Sequence, residues 1–487
     1  MITSKEYTAR RKELMSLMHS NSIAIISAAP EKVRSRDTHY PYKQNVNLSY
    51  LCGFPEPESV LVLIPGRAQG EMVLFCRDKD PLRETWDGYR EGPGGAVTNF
   101  GADDAFPIAD IDDILPNLIE GKDRLYYAIG KDPEFDKHLM DWVNHVRNQR
   151  GNGALPPGEF VDLDHFVNEM RLFKTAGELK VMRKAAEISA NAHCRAMRAS
   201  KPGVFEYQLQ AEIEHEFVVN GSVGAAYSSI VGGGKNGCIL HYIENRDALK
   251  DGDLVLIDAG CEYQNYAADI TRTFPVNGKF SDEQAAIYDI VLQAQADAIA
   301  VIGPGIEYNK TNEATVRAIT QGLVDVGILQ GDVDELIANE AHREFYMHGA
   351  GHWLGMDVHD VGDYKIEGQW RVYEPGMVVT IEPGIYIAPG NPNVDKKWHG
   401  IAVRIEDDIV VTKSGRDGSN PPLLQQQTPV PHGRPVVLER TKRQHLPSPP
   451  TVVAAIAHPE STKPTVIIRD PVVPFVRPGM LFIPRPP

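Results

Sequence analysis

LVLIDAGCEYQNYAADI, residues 254–270, opens on four apolar residues in strand-like sequence and ends that run on Asp258. A turn containing Gly260 and Asn265 follows, and a second strand is expected to carry Asp269 back, eleven residues on. Acidic side chains are poor strand formers and costly to bury. Two of them at the ends of paired apolar runs need compensation, and a bound cation provides it. Three later stretches offer further ligands: His352 in HGAGHWLG, Glu382 in VVTIEPGIY and Glu406 in VRIEDDIVV. Each acid again interrupts an apolar, β-branched run. Taken alone, Asp258 or Glu406 is more often half of a salt bridge than a ligand. Taken together, buried like charges without metal would cost many kcal/mol and would have to be protonated. Four carboxylates and one imidazole suit a pair of divalent first-row ions. Carboxylates accept hard ions such as Mn2+, and the imidazole adds affinity across the series.

Around this stretch, the chain is long enough for two or three domains with full cores, at 487 residues. A formal net charge of −16 argues against nucleic acid or an anionic membrane as partner. Cys52, Cys76, Cys194, Cys238 and Cys261 are odd in number, scattered and set in apolar runs. That usage reads as reduced thiols in a cytoplasmic protein. The N-terminus MITSKEYTARRKELMSLM is charged and helix-like, with no secretion-signal pattern. No apolar run approaches the ~18 residues that would span a membrane.

Residues 1–170 alternate helical and strand patterns, the mark of an α/β domain. Helices are expected over 5–18 and 133–149, strands over 22–28, 59–64 and 72–75. Two polar–aromatic loops stand out, one at 36–45 containing Asp37 and one at 86–90 beginning with Trp86. They read either as plain surface or as arms reaching a ligand or a neighbouring subunit. Residues 151–158 are rich in Gly and Pro, and with the run to Arg171 they read as a linker. A second domain, 171–415, then opens on a capping box, Thr175 with Glu178, in which each side chain satisfies an orphan N–H of the first turn. An amphipathic helix follows to just before Lys201, another spans 206–219, and strands and helices alternate to about Thr412. The third segment, 416–487, holds 16 of the 35 prolines, nine Lys and Arg, and four Asp and Glu. Its balance is therefore +5 (9 − 4) on a body of −21 (−16 − 5). Proline at that density opposes regular structure, so the tail reads as a non-catalytic extension.

Three more histidines accompany the candidate ligands: His241 in GCILHY, His348 four residues before His352, and His359 in DVHD. A lone histidine is usually structural, but three in these segments are candidates for hydrogen bonding and proton transfer near neutral pH. Gly349 and Gly351 make a helical His348 and His352 ligand pair unfavourable, so only one is expected to bind metal. Arg404, two residues before Glu406, can orient a carboxylate. VGGGKNG at 231–237 lacks the spacing of a phosphate loop and reads as a turn.

The order Asp, Asp, His, Glu, Glu, with IDAG, DITRTF, HGAGHWLG, VHD, TIEPG and VRIED, resembles the pita-bread metallopeptidases of family M24. YPYKQNVNLSYLCGFPEPESVLVL at 40–63 and MRLFKTAGELKVMRKA at 170–185 are similar, more narrowly, to the aminopeptidase P group. The resemblance covers residues 1 to about 415. It implies a creatinase-like N-terminal α/β domain and an α+β pita-bread catalytic domain with internal pseudo-twofold symmetry. It implies two Mn-type ions held by Asp258, Asp269, His352, Glu382 and Glu406, with Asp269 and Glu406 bridging. Glu382 would also take the proton of an activated water, while His241, His348, His359 and Arg404 match substrate-contacting and supporting positions. Asp37 and Trp86 match loops lent to a neighbour's cleft in a homodimer or homotetramer. The implied reaction is release of an N-terminal residue from peptides with proline in second position. A prolidase acting on Xaa-Pro dipeptides shares the site and differs in what closes the pocket. A metal-free amidinohydrolase or a non-catalytic binding relative shares the fold without needing all five ligands. The tail departs from the family pattern near Gly418.

Overall fold

The computed structural model describes residues 2–413. The tail assigned from residue 416 lies outside the described residues.

The N-terminal part is built on a six-stranded sheet. Its strands run in the order Asp104–Pro107, Met72–Cys76, Val60–Leu63, Ser22–Ser27, Arg124–Tyr127, Glu159–Asp162. Ser22–Ser27 pairs antiparallel with Val60–Leu63 and parallel with Arg124–Tyr127. SIAIIS, VLVL and MVLFC are apolar almost throughout because both faces of the sheet are covered. Alternation divides them: Ala24 and Ile26 pack with Leu14, Leu48 and Val167, from helices Ser4–Leu17, Val46–Cys52 and Asp164–Leu172. Ile23 and Ile25 pack on the other face with Leu115 and Leu139, from helices Ile111–Ile119 and Pro133–Asn148.

Two expectations are corrected here. Only part of 151–171 is a connector: Glu159–Asp162 is the sixth strand of the sheet, and Asp164–Leu172 is a helix against its face. Trp86 lies not in a loop but in the last turn of the short helix Pro81–Asp87, whose first turn is capped by the Asp80 carboxylate. The 36–45 stretch begins in a small hairpin of Val33–Ser35 and Thr38–His39.

The following domain opens on helix Ala176–Ala199, with the Thr175 and Glu178 capping box formed in both directions. Its partner is Glu206–Val219. A second helix pair, Asp282–Val301 and Asn309–Asp325, repeats the arrangement. Each pair flanks a bent hairpin, and the bends place the site.

In the first hairpin, Leu254–Asp258 pairs with Thr271–Pro275 and the ladder stops at Asp258 opposite Thr271. It resumes as Cys261–Tyr263 against Tyr266–Ala267, closed by Gln264 and Asn265, both at positive φ (50° and 68°). That pair of left-handed residues is the tight hairpin turn. Asp269 therefore lies in the bend before the return strand rather than within it. The bend requires Gly260, since a Cβ there would sit 1.7 Å from the Ala268 carbonyl oxygen. In the second hairpin, Val378–Ile381 pairs with Asp407–Val410, and Gly384–Tyr386 pairs with Ala402–Arg404. Glu382 and Glu406 occupy the two sides of the interruption. A continuous ladder would impose strict alternation of side chains. Interrupting it frees these carboxylates to face one another.

Among the described residues no helix is long and apolar enough to cross a membrane, and none of the five cysteines is in a disulfide.

Candidate metal centre

The two bends face each other across a cavity of about 500 Å³. Asp258, Asp269, His352, Glu382 and Glu406 line it, together with His241, His348, His359, Arg404 and Tyr227. Asp269, Glu406 and Arg404 are buried, while Asp258, His352 and Glu382 are half-buried. Each of Asp269, His352 and Glu406 offers an atom within 4.8 Å of the others. His352 Nε2 lies 3.4 Å from Asp269 and 3.7 Å from Glu382. Its Nδ1 donates to the Trp353 carbonyl at 2.9 Å, which leaves Nε2 directed at the carboxylates. A second ring nitrogen tied to a carbonyl is the usual way of aiming a ligating imidazole. The backbone segment of His352 is itself fixed, because the Thr380 N–H donates to its carbonyl at 2.9 Å.

The neutral and cationic neighbours account for only part of the acidic charge. Arg404 Nη2 donates to Asp258 at 2.7 Å, Nη1 to the Tyr386 hydroxyl at 3.0 Å and Nε to Thr271 Oγ1 at 3.1 Å. Thr271 Oγ1 donates to Glu406 at 2.7 Å. The Tyr227 hydroxyl lies 2.6 Å from both Asp258 Oδ1 and Asp269 Oδ1. It has one proton, so the second contact needs a proton on a carboxylate or a cation nearby. Burial, reinforced by Asp258, pushes the Asp269 carboxyl up. Burial also raises Glu406 well above the carboxylate range, with Asp269 and Glu382 adding to it. Glu382 rises to about 7, again by burial first. His352 would be lowered by burial, but Asp269 and Glu382 together bring it to about 9. Without metal, burial and mutual repulsion favour the protonated forms of Asp269, Glu382 and Glu406, and the carboxylates favour a proton on His352. Divalent ions would replace those protons with charge that the donor set is suited to hold. The residues present fit a two-ion site.

This has a consequence for the metal-free protein. Carboxyls raised in the folded state bind protons that the unfolded chain releases, so the stability they contribute falls as pH rises from about 4.5 through 7. A raised histidine stabilises fully below about 6.5 and loses that contribution as pH rises through 9. Both act in the same direction. His348 and His193, lowered to about 4 by burial, act oppositely up to about pH 6.5, so stripped protein should show a melting temperature that falls from about pH 6.5 to pH 9, and reloading with metal should raise it most at the alkaline end. Scanning calorimetry of both forms across that range checks the slope.

The remaining histidines differ in their surroundings. His348 Nδ1 donates to the Gly349 carbonyl at 2.8 Å, and its Nε2 lies 2.8 Å from the Tyr386 hydroxyl. Burial lowers it to about 4, so it is neutral. The segment between His348 and His352 is not helical. The rings of His359 and His352 meet edge to face at 4.2 Å, and His359 and His241 are both exposed to the cavity. Arg404 contacts Asp258 rather than its near neighbour Glu406. Sequence reasoning missed Tyr227, Thr271 and Tyr386, neutral residues in strand-like or small-residue stretches where no charge betrays them. Asp37 and Trp86 are both exposed and do not line the cavity of their own chain.

The model of metallopeptidase family M24 matches residues 180–413, and that of the aminopeptidase P N-terminal domain matches residues 7–126. The chain belongs to metallopeptidase family M24 and carries the N-terminal domain of its aminopeptidase P group. It is 48% identical over 417 residues to the Xaa-Pro aminopeptidase of Escherichia coli (strain K12), spanning 85% of this chain and 94% of that protein. The structure of Pseudomonas aeruginosa aminopeptidase PepP is similar at a TM-score of 0.85 and 62% identity, covering 85% of this chain and 94% of that one. A Zn-substituted E. coli aminopeptidase P in complex with product is similar at a TM-score of 0.83 and 48% identity, with the same coverage.

Proposed function

We propose that this chain is a metal-dependent aminopeptidase that releases the N-terminal residue from peptides with proline in second position. The observation that carries the reading is the convergence of four carboxylates and one imidazole at the facing bends of two hairpins. Asp258, Asp269, His352, Glu382 and Glu406 would hold two divalent ions, Mn2+ by preference. When bound, such a pair supplies Lewis acidity and lowers the pKa of a coordinated water.

The protein's own groups complete the reaction. Glu382 would act as the general base that takes the proton from the attacking water. His359 and His241, exposed to the same cavity, can donate to the scissile carbonyl and to the tetrahedral oxyanion. Arg404 and Tyr227 keep Asp258 and Asp269 in place. An amide nitrogen contributed by proline has no N–H, so recognition must come from the ring. Ile243, Val358 and the edge of His348 provide apolar surface in this cavity. The reading is tested with protein stripped of metal and reloaded with Mn2+. Reloaded protein should release the first residue of a proline-second tripeptide, and should act poorly on the alanine-second counterpart. Equal turnover of both peptides would refute the specificity.

The exposed positions of Asp37 and Trp86 support a homo-oligomer, a dimer or a dimer of dimers, in which each reaches a neighbour's cleft. Light scattering at assay concentration should give a mass of at least two chains, and an active monomer would refute it. Five unpaired cysteines support a reducing compartment such as the cytoplasm.

A further inference from the structure

His359 sits in a stretch with neither helix nor strand, from Met356 to Tyr364, yet its ring is held edge to face on His352. What fixes it lies on its flanks. Asp360 is buried and accepts from Arg171 Nη2 at 2.6 Å and from Lys174 Nζ at 3.0 Å. Asp357 accepts from the same Nη2 at 2.7 Å. The Asp360 N–H donates to the Trp353 carbonyl at 2.9 Å, and Gly355 leaves room for the Asp360 carboxylate where a Cβ would come within 2.0 Å of it. Arg171 is anchored in turn: its Nη1 donates at 2.8 Å to Asn47, in helix Val46–Cys52 of the N-terminal domain. The Lys174 backbone N–H donates to the Gly376 carbonyl at 2.8 Å.

Buried ion pairs add little net stability compared with apolar packing of the same volume, because desolvation offsets the attraction. Their directional hydrogen bonds nevertheless fix geometry closely. We propose that Arg171, seconded by Lys174, is a positioning residue that holds His359 in its working place by gripping Asp357 and Asp360 on either side of it. The proposal rests on the reaction argued above and adds a role for the junction between the two domains: the N-terminal domain braces a cavity histidine that it does not touch.

The test is a mutant cycle on the Mn-loaded full chain with a proline-second tripeptide. Arg171→Lys keeps the charge but cannot span Asn47, Asp357 and Asp360 together. It should lower kcat about tenfold, a loss typical of small misplacements at a reacting centre. KM and bound metal should stay unchanged. In a His359→Ala background, or His359→Gln where turnover of the alanine variant falls below detection, the same change should cost less than about twofold. A purely structural role would cost as much in either background, and that additivity would overturn the proposal. If Arg171→Lys does not fold, Asp357→Asn carries the test, because Asp357 is 38% exposed. It should lower kcat about threefold in the wild-type background and not in the His359 variant. Full activity of Asp357→Asn in the wild-type background would overturn the proposal. A His359→Ala enzyme as active as wild type would remove the role assigned to His359 itself, and the clamp with it.

Discussion

Glu406→Gln should lose both metal ions and drop peptide hydrolysis by several orders of magnitude while leaving the fold intact. Glu406 is 2% exposed and sits at the interruption between Ala402–Arg404 and Asp407–Val410, where Asp269 approaches from the opposite hairpin and His352 from the segment beside Val378–Ile381. Glutamine preserves its volume and one acceptor oxygen. It removes the negative charge and replaces the other oxygen with a donor that repels a cation. As a ligand proposed to serve both ions, Glu406 should take both with it when it fails, unlike a residue proposed to serve one. The fold should survive because burial favours the protonated, neutral form of Glu406 in the metal-free site, and glutamine matches that form in volume and charge. Stripped Glu406→Gln should therefore melt no lower than stripped wild type. Elemental analysis, circular dichroism and tripeptide hydrolysis together check the claim. Two retained equivalents of metal with near-normal turnover would contradict it.

The second large effect separates the histidines. His352→Ala should lower metal content, because His352 Nε2 faces Asp269 and Glu382 while its other nitrogen is tied to the Trp353 carbonyl. His359→Ala and His241→Ala should keep both ions and lower kcat, by about 10²-fold each if they stabilise the oxyanion. Neither ring is aimed by a second hydrogen bond in the way His352 is, and both are exposed to the cavity where a substrate would lie. Metal analysis beside kcat and KM distinguishes the roles. Loss of metal from His359→Ala, with none from His352→Ala, would reverse the assignment.

Much of this was legible in the sequence for identifiable reasons. The helices beginning near Thr175 and Glu206 announce themselves through capping and amphipathic spacing, which are local properties. The acidic members of the site stand out because carboxylates interrupt apolar, β-branched runs. The bends themselves are not legible: the sequence pattern assigns Asp269 to the return strand, since only the close approach of Gly260 and Ala268 shows where the ladder breaks. Glu159–Asp162 reads as linker because a short, half-exposed edge strand carries little apolar signal. The helix containing Trp86 had a readable start, Asp80 followed by Pro81, which the aromatic residues after it obscured. Tyr227 and Thr271 are neutral, and only the fold brings their hydroxyls to the carboxylates.

The site proposed here removes one residue from peptides in which proline comes second, rather than splitting Xaa-Pro dipeptides alone. The most direct measurement is product analysis of stripped protein reloaded with Mn2+, given a proline-second tripeptide and the matching Xaa-Pro dipeptide side by side. The tripeptide should yield its free N-terminal residue and a dipeptide beginning with proline, at a higher kcat/KM than the dipeptide substrate. Hydrolysis of the dipeptide with the tripeptide left intact would contradict it.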